Sequence, residues 1–212
     1  MKKYGVGFAV IGSFMTIAFL IIVNLLTSSE HIWFIYPSVG LLLWPVGLYC
    51  MKNKFYKLFA VLCSMLIIIF LIIENYQDTP GYPWALYAVF PVLCWPILML
   101  LGKRAGNIIV SLVGSSIIII YYLMLNIFLE PGYPWVIFPA FVVLWWPLTI
   151  FHVTNKSYFK YSIHASIFVS AFFILVNAIS TPHTIWAIYP IFAVLWWPLS
   201  MYYFVYKRNL GR

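Results

Sequence analysis

Apolar residues run along this chain in long unbroken stretches, not in the mixed pattern of a water-soluble domain. Eight such stretches are separated by short segments that hold nearly all of the charge. Each is close to the ~20 residues a helix needs to cross a bilayer core of about 30 Å. Backbone polar groups cannot go unpaired in lipid, so such stretches are helices or barrel strands, and the lack of period-two alternation selects helices. The pattern predicts spans at 6–26, 32–51, 58–74, 84–101, 108–129, 133–151, 161–179 and 185–206.

Composition sharpens this picture. Hydrophobic residues make up 65% of the 212 positions and charged residues 8%, where a soluble domain carries about a quarter charged. A cytosolic enzyme, a disordered chain and a disulfide-stapled secreted module are excluded. Cys50, Cys63 and Cys94 lie in or beside apolar runs without metal-ligand spacing and read as small packing residues. Met1-Lys2-Lys3 followed by apolar residues from Val6 resembles a signal peptide. The run reaches Leu26 without a small-x-small cleavage site, so a retained first span is expected.

The stretches fall into four copies of one pattern. Trp33, Trp84, Trp135 and Trp186 are spaced by 51 residues, as are Trp44, Trp95, Trp146 and Trp197, each of the latter followed by proline (Pro45, Pro96, Pro147, Pro198). Asn24, Asn75, Asn126 and Asn177 keep the same step, and so do Ser13, Ser64, Ser115 and Ser166. The repeats read as 1–54, 55–105, 106–156 and 157–212 of a single membrane domain, 1–212.

Charge gives the orientation. The twelve Lys and Arg lie at the termini (Lys2, Lys3, Lys207, Arg208, Arg212) or between repeats: Lys52, Lys54 and Lys57, then Lys103 and Arg104, then Lys156 and Lys160. The loops inside repeats carry Glu30, Asp78 and Glu130, with Glu74 nearby. The positive-inside bias predicts a multi-pass protein of the cell (cytoplasmic) membrane with both termini cytoplasmic. Five short, scattered basic clusters do not suit nucleic acid. Two spans per repeat insert every repeat the same way up. The expected fold is all-α integral membrane: eight transmembrane helices as four tandem parallel hairpins, arranged in a pseudo-four-fold bundle along the membrane normal.

The repeated polar residues have a physical task in lipid. A proline inside a helix frees the carbonyl four residues earlier; Pro45 frees that of Leu41 and Pro37 that of Trp33. Ser13 and Asn24, eleven residues and roughly 16 Å apart on one helix face, match those two levels, and are expected to satisfy these carbonyls or neighbouring groups. The sharper reading makes the serines and asparagines a polar ring along an axial pathway, against which stand the apolar residues between them (Ile17, Leu20, Ile68, Leu71, Ile119). Trp33 and its equivalents fit an interfacial aromatic belt. Trp44, Trp95, Trp146 and Trp197, with Trp145 and Trp196, fall near mid-membrane, where indole N–H groups need acceptors. They read either as packing or as an aromatic box for a hydrophobic or quaternary-ammonium ligand.

Some residues break the pattern. Glu74, beside Asn75, stands where the other repeats have Val23, Leu125 and Val176; it is a candidate functional acid or reaches the headgroups. His164 replaces Ile11, Leu62 and Val113, and with His31, His152 and His183 shows no metal-binding spacing. Pro80-Gly81-Tyr82-Pro83 and Pro131-Gly132-Tyr133-Pro134 read as tight turns closing hairpins.

Val23-Asn24, then Trp33-Phe34-Ile35-Tyr36-Pro37 and Trp44, resembles the bacterial two-transmembrane ("2TM") domain. The last repeat (Val176-Asn177, Trp186, Pro190, Trp197) and the third (Asn126, Trp135, Pro139, Trp146, His152) match in part. The second departs, with Ala88 at the proline position and Pro91 three residues on, and every repeat has proline where that family has glycine after the deeper tryptophan. The resemblance implies small bacterial membrane proteins, some fused to sensor kinases, and supplies no activity or cofactor.

Four acids and four dispersed histidines offer no catalytic dyad, triad or metal site. The sequence therefore predicts a non-enzymatic membrane protein without cofactor or metal. Beyond the lipid bilayer it binds a membrane protein partner, a lipid, or a hydrophobic or cationic small molecule within the bundle. The alternative is a channel or permease for a small solute or organic cation.

Overall fold

The computed structural model describes residues 5–28 and 32–208, so the expectations placed on Lys2, Lys3, Glu30, His31 and Arg212 lie outside the described residues. Regular structure among the described residues is all helical: α1 (Gly5–Thr27), α2 (Ile35–Lys52), α3 (Tyr56–Asp78), α4 (Ala85–Leu101), α5 (Ile108–Leu129), α6 (Ile137–Thr154), α7 (Tyr158–Ser180) and α8 (Ile188–Met201). A 3₁₀ turn, Gly102–Gly106, precedes α5, and a π-helical stretch, Tyr202–Lys207, continues α8. Seven of the eight helices are long and apolar enough to cross a membrane, and α2 is not among them. Its 18 residues include Pro37, Ser38, Gly40, Pro45, Gly47 and Lys52, and it falls short of the apolarity that the other seven reach over a span's length.

The second helix of each pair starts later than the apolar pattern suggests: at Ile35, Ala85, Ile137 and Ile188 instead of 32, 84, 133 and 185. Trp33, Trp84, Trp135 and Trp186 thus precede their helices and are half-buried. Pro37 stands in the first turn of α2, where a missing N–H costs no helix bond. The Trp33, Trp135 and Trp186 carbonyls each accept an N–H three residues on, from Tyr36, Phe138 and Tyr189, at 3.1–3.3 Å.

Sequence-adjacent helices pack as pairs, α1 on α2, α3 on α4, α5 on α6 and α7 on α8; α2 also packs on α3, and α6 on α7. The helices form two compact units, α1–α4 in one (Met1–Gly102) and α5–α8 in the other (Lys103–Arg212). Within each pair the contact is made by small side chains. Ala9, Ala60, Ser111 and Ser162 have no accessible surface, and four residues on Ser13, Ser64, Ser115 and Ser166 are almost as enclosed. In lipid, helices gain nothing from hiding apolar surface from each other, so association relies on close backbone approach over small residues and on hydrogen bonds. The hydroxyls of Ser111 and Ser162 bond back to Ile108 and Phe159 carbonyls on their own helices. The turns at Gly81 and Gly132 join α3 to α4 and α5 to α6.

Candidate functional site

The serines meet the prolines. Ser13 Oγ donates to the Leu41 carbonyl at 2.7 Å, Ser64 to Val92 at 3.0 Å, Ser115 to Val143 at 2.9 Å and Ser166 to Val194 at 3.3 Å. Each acceptor lies four residues before Pro45, Pro96, Pro147 or Pro198, so it is the carbonyl whose helical donor proline removed. A polar group stranded in an apolar setting costs several kcal/mol in the extreme. The serine from the neighbouring helix offsets that cost and ties the pair together.

The asparagines engage groups that neighbour the first-turn carbonyls, accepting the N–H groups that follow Trp33, Trp84, Trp135 and Trp186. They cap the two helix ends of their own hairpin, and no bond between an asparagine and the carbonyl freed by the first-turn proline is among those described. Asn126 Nδ2 donates to the carbonyls of Glu130 (2.6 Å) and Tyr133 (2.8 Å), and its Oδ1 accepts the Val136 N–H (3.1 Å). Asn75 does the same with Thr79, Tyr82 and Ala85, and Asn177 with Thr181, Thr184 and Ala187. Asn24 donates to Ser28 O and accepts from Phe34 N. Helix termini leave carbonyls and N–H groups without intrahelical partners. Phe34, Trp84, Val136 and Ala187, which occupy the N-cap positions of the second helices, make no side-chain cap bond. One amide therefore closes the end of one helix and the start of the next.

The deeper tryptophans pack on the first helix of their own pair. Trp44 stands edge-on to Phe8, Trp95 to Phe59 and Trp197 to Tyr161, with centroids 5.6–6.3 Å apart. The Trp146 indole N–H donates to Ala105 O at 3.0 Å, holding its ring against Gly114. Trp145 lies in a cluster with Phe141, Phe168 and Tyr161.

Glu74 does not extend into open surroundings. It is 7% exposed, and Oε2 accepts the Tyr36 hydroxyl of α2 at 2.7 Å. A buried carboxylate with a tyrosine donor ties α3 to α2, a contact between consecutive pairs that a single-repeat view of the sequence does not reveal.

The histidines are not all dispersed. His152, near the end of α6, is 1% exposed; its Nδ1 lies 2.7 Å from Ser157 Oγ and its Nε2 lies 2.9 Å from Nδ1 of His164 on α7. One imidazole donates and the other accepts across that contact, so the two rings share a proton. Tyr161 stands beside them, its ring 5.4 Å from His152 and its hydroxyl 3.0 Å from Thr149 Oγ1. The signal was present in sequence: both residues break the 51-residue frame, and both lie within two turns of the loop joining α6 to α7. His183 is exposed and apart from them. Among the described residues no three His, Cys, Asp or Glu side chains converge as metal ligands.

Beside this pair runs a groove of about 450 Å³ between Ile108 and Leu112 of α5, Leu144 and Leu148 of α6, and Phe168 of α7. The two imidazoles are the polar side chains of an otherwise apolar wall. The arrangement can hold an apolar molecule and offer it one hydrogen-bonding or proton-exchanging contact.

Helices of this length and apolarity define a multi-pass membrane protein in a lipid bilayer. The chain matches no family model, no curated protein and no solved structure.

Proposed function

We propose that this protein is a non-enzymatic membrane module that binds a hydrophobic ligand or lipid between its helices. One observation carries the reading: the polar side chains repeated through the spans are engaged in holding the hairpins together. Each serine hydroxyl serves a proline-freed carbonyl, and each asparagine amide bridges the two ends of its loop. A water-filled pathway would need such groups free to face the solute. The apolar groove on α5, α6 and α7 supports binding instead.

The proposal includes the tandem architecture: four copies of one hairpin, α2 counted as the eighth span, both termini on the cytoplasmic side of a bacterial cell membrane, and the copies arranged about one axis. The likeness to the 2TM domain supports the hairpin as the unit. The equivalent serine bonds, each spanning 28 residues, support it independently.

The test is native mass spectrometry of the full chain released from nanodiscs, paired with solute flux in proteoliposomes. The expected result is a retained apolar adduct displaced by Leu112→Trp, with no flux above empty liposomes. Flux that bulky replacements at Ser64 or Asn75 abolish, with no retained adduct, would overturn the reading in favour of a channel or permease.

A further inference from the structure

The groove ends on two imidazoles of unequal access. His152 is enclosed and both its ring nitrogens are engaged, whereas His164 is exposed on the groove wall and its Nε2 has no partner among the described residues. The site therefore presents one free nitrogen backed by the hydrogen-bonded series His164, His152, Ser157. A proton taken up there is shared by two rings.

Among the described residues of α5–α8 no carboxylate stands beside the pair to balance that charge. The acids are Glu30, Glu74, Asp78 and Glu130. None lies on α6, α7 or α8, and Glu130 follows the far end of α5 from Ile108. The other titratable groups at this junction are Tyr161, Lys160 in the first turn of α7 and Lys156 in the loop before it, while α5 contributes Ile108 and Leu112. An uncompensated positive charge in apolar surroundings is costly. The complementary occupant brings a negative charge on an alkyl chain.

We propose that this groove binds a single-chain carboxylic acid of the fatty-acid type, its carboxyl on Nε2 of His164 and its chain along Leu112, Leu144, Leu148 and Phe168. This deepens, and rests on, the reading of the protein as a hydrophobic-ligand module. A carboxylic acid suits the pair because one proton serves both. The neutral acid donates its O–H to Nε2 while His164 Nδ1–H donates to His152 Nε2 and His152 Nδ1–H to Ser157 Oγ. With the proton moved to Nε2, an imidazolium faces a carboxylate. In both states all four ring nitrogens of the pair are partnered and the net charge of the site with its ligand is unchanged. A volume of about 450 Å³ lies in the range of small-molecule sites. A phosphodiester headgroup lacks the neutral state.

The experiment measures equilibrium binding to the full chain in nanodiscs of zwitterionic lipid. The probes are a fluorescent long-chain fatty acid, the fatty alcohol of the same chain, and an anionic two-chain phospholipid as competitor. The acid should bind about tenfold tighter than the alcohol, consistent with a charge-assisted hydrogen bond. His164→Ala, at an exposed position, should abolish the difference, and alcohol binding that persists in the variant shows that the groove still forms. Equal binding of acid and alcohol overturns the proposal, as does an acid preference that survives His164→Ala or equally effective competition by the phospholipid. In any of those three cases, alcohol binding that Leu112→Trp blocks leaves the hydrophobic-module reading standing while the acid site falls. If neither probe binds, both fall.

Discussion

Ser115 on α5 donates its hydroxyl to the Val143 carbonyl of α6, the acceptor that Pro147 deprives of its helical partner. The serine and the proline therefore form one device although they never touch each other's polar atoms. Replacing Ser115 with Ala should destabilise the α5–α6 pair by about 1 kcal/mol, in the range of interhelical bonds in membranes. In a Pro147→Ala background the restored N–H of residue 147 supplies Val143, so the same serine replacement should cost much less. Unfolding of the four variants in mixed micelles gives the coupling, and additive effects would dissociate the serine from the proline.

Asn126 holds three backbone groups across the turn between α5 and α6. Asn126→Ala strands two carbonyls and one N–H at the hairpin end and should cost about 1–3 kcal/mol. Asn126→Asp can still accept the Val136 N–H but loses both donations, so it should be nearly as damaging. Amide exchange over residues 130–137 should quicken in both variants while the middle of α5 stays protected; unchanged exchange in that segment would count against the clamp.

These two devices show how far the sequence could be read. The proline rule fixes which carbonyl lacks a donor, and helix rise fixes which serine stands level with it. The bond from Ser13 to Leu41 was therefore legible from spacing alone, as were helices where apolar stretches are long. Loop geometry was not. The apolar pattern runs straight through Trp135 and Trp186, and only the asparagine bonds to Val136 and Ala187 reveal that the helix begins beyond them. The histidine pair was legible only as two breaks in the frame, and its contact was not. His152 and His164 belong to different repeats, and their meeting depends on how α6 packs on α7. A period-51 reading aligns copies but says nothing about how one copy leans on the next, and the contact between Tyr36 and Glu74 escaped for the same reason.

Gly114 and Gly12 hold equivalent positions yet should respond oppositely to a methyl group. A Cβ on Gly114 would lie 2.6 Å from Cζ3 of Trp146, a ring anchored through its indole N–H to Ala105. A Cβ on Gly12 meets its nearest neighbour, Trp44, at 3.9 Å, which is ordinary contact. Gly114→Ala should therefore destabilise by about 1–3 kcal/mol through overpacking. Gly12→Ala should be neutral or mildly stabilising, since alanine favours helix. Thermal unfolding of both decides, and Trp146→Phe should relieve part of the Gly114→Ala penalty.

Tyr36 supplies the donor that Glu74 needs between α2 and α3. Tyr36→Phe leaves a nearly enclosed carboxylate short of one partner and should lower the unfolding temperature, by a modest amount because the tyrosine is itself exposed. Glu74→Gln keeps an acceptor for the hydroxyl and removes the charge, so it should cost less than Tyr36→Phe. In a Glu74→Leu background the tyrosine replacement should lose most of its effect. Equal penalties with and without the carboxylate would mean that the ring of Tyr36, which packs edge-on to Phe70 at 5.7 Å, matters and its hydroxyl does not.

Orientation in the bilayer has a direct reading at two glycines. Gly132 lies in the turn between α5 and α6, Gly106 lies in the 3₁₀ turn before α5, and a Cβ at either site meets nothing within 4 Å. Cysteine fits at both without altering the charge pattern. The flanking residues differ: Lys103 and Arg104 accompany Gly106, and no Lys or Arg accompanies Gly132. Basic residues near span ends are retained on the cytoplasmic side. With Cys50, Cys63 and Cys94 replaced by alanine, a membrane-impermeant maleimide applied to intact cells should label Gly132→Cys readily and leave Gly106→Cys unmodified until the membrane is opened. Labelling of the Gly106 variant in sealed cells, with protection of the Gly132 variant, would invert the topology and place every basic loop on the outer face.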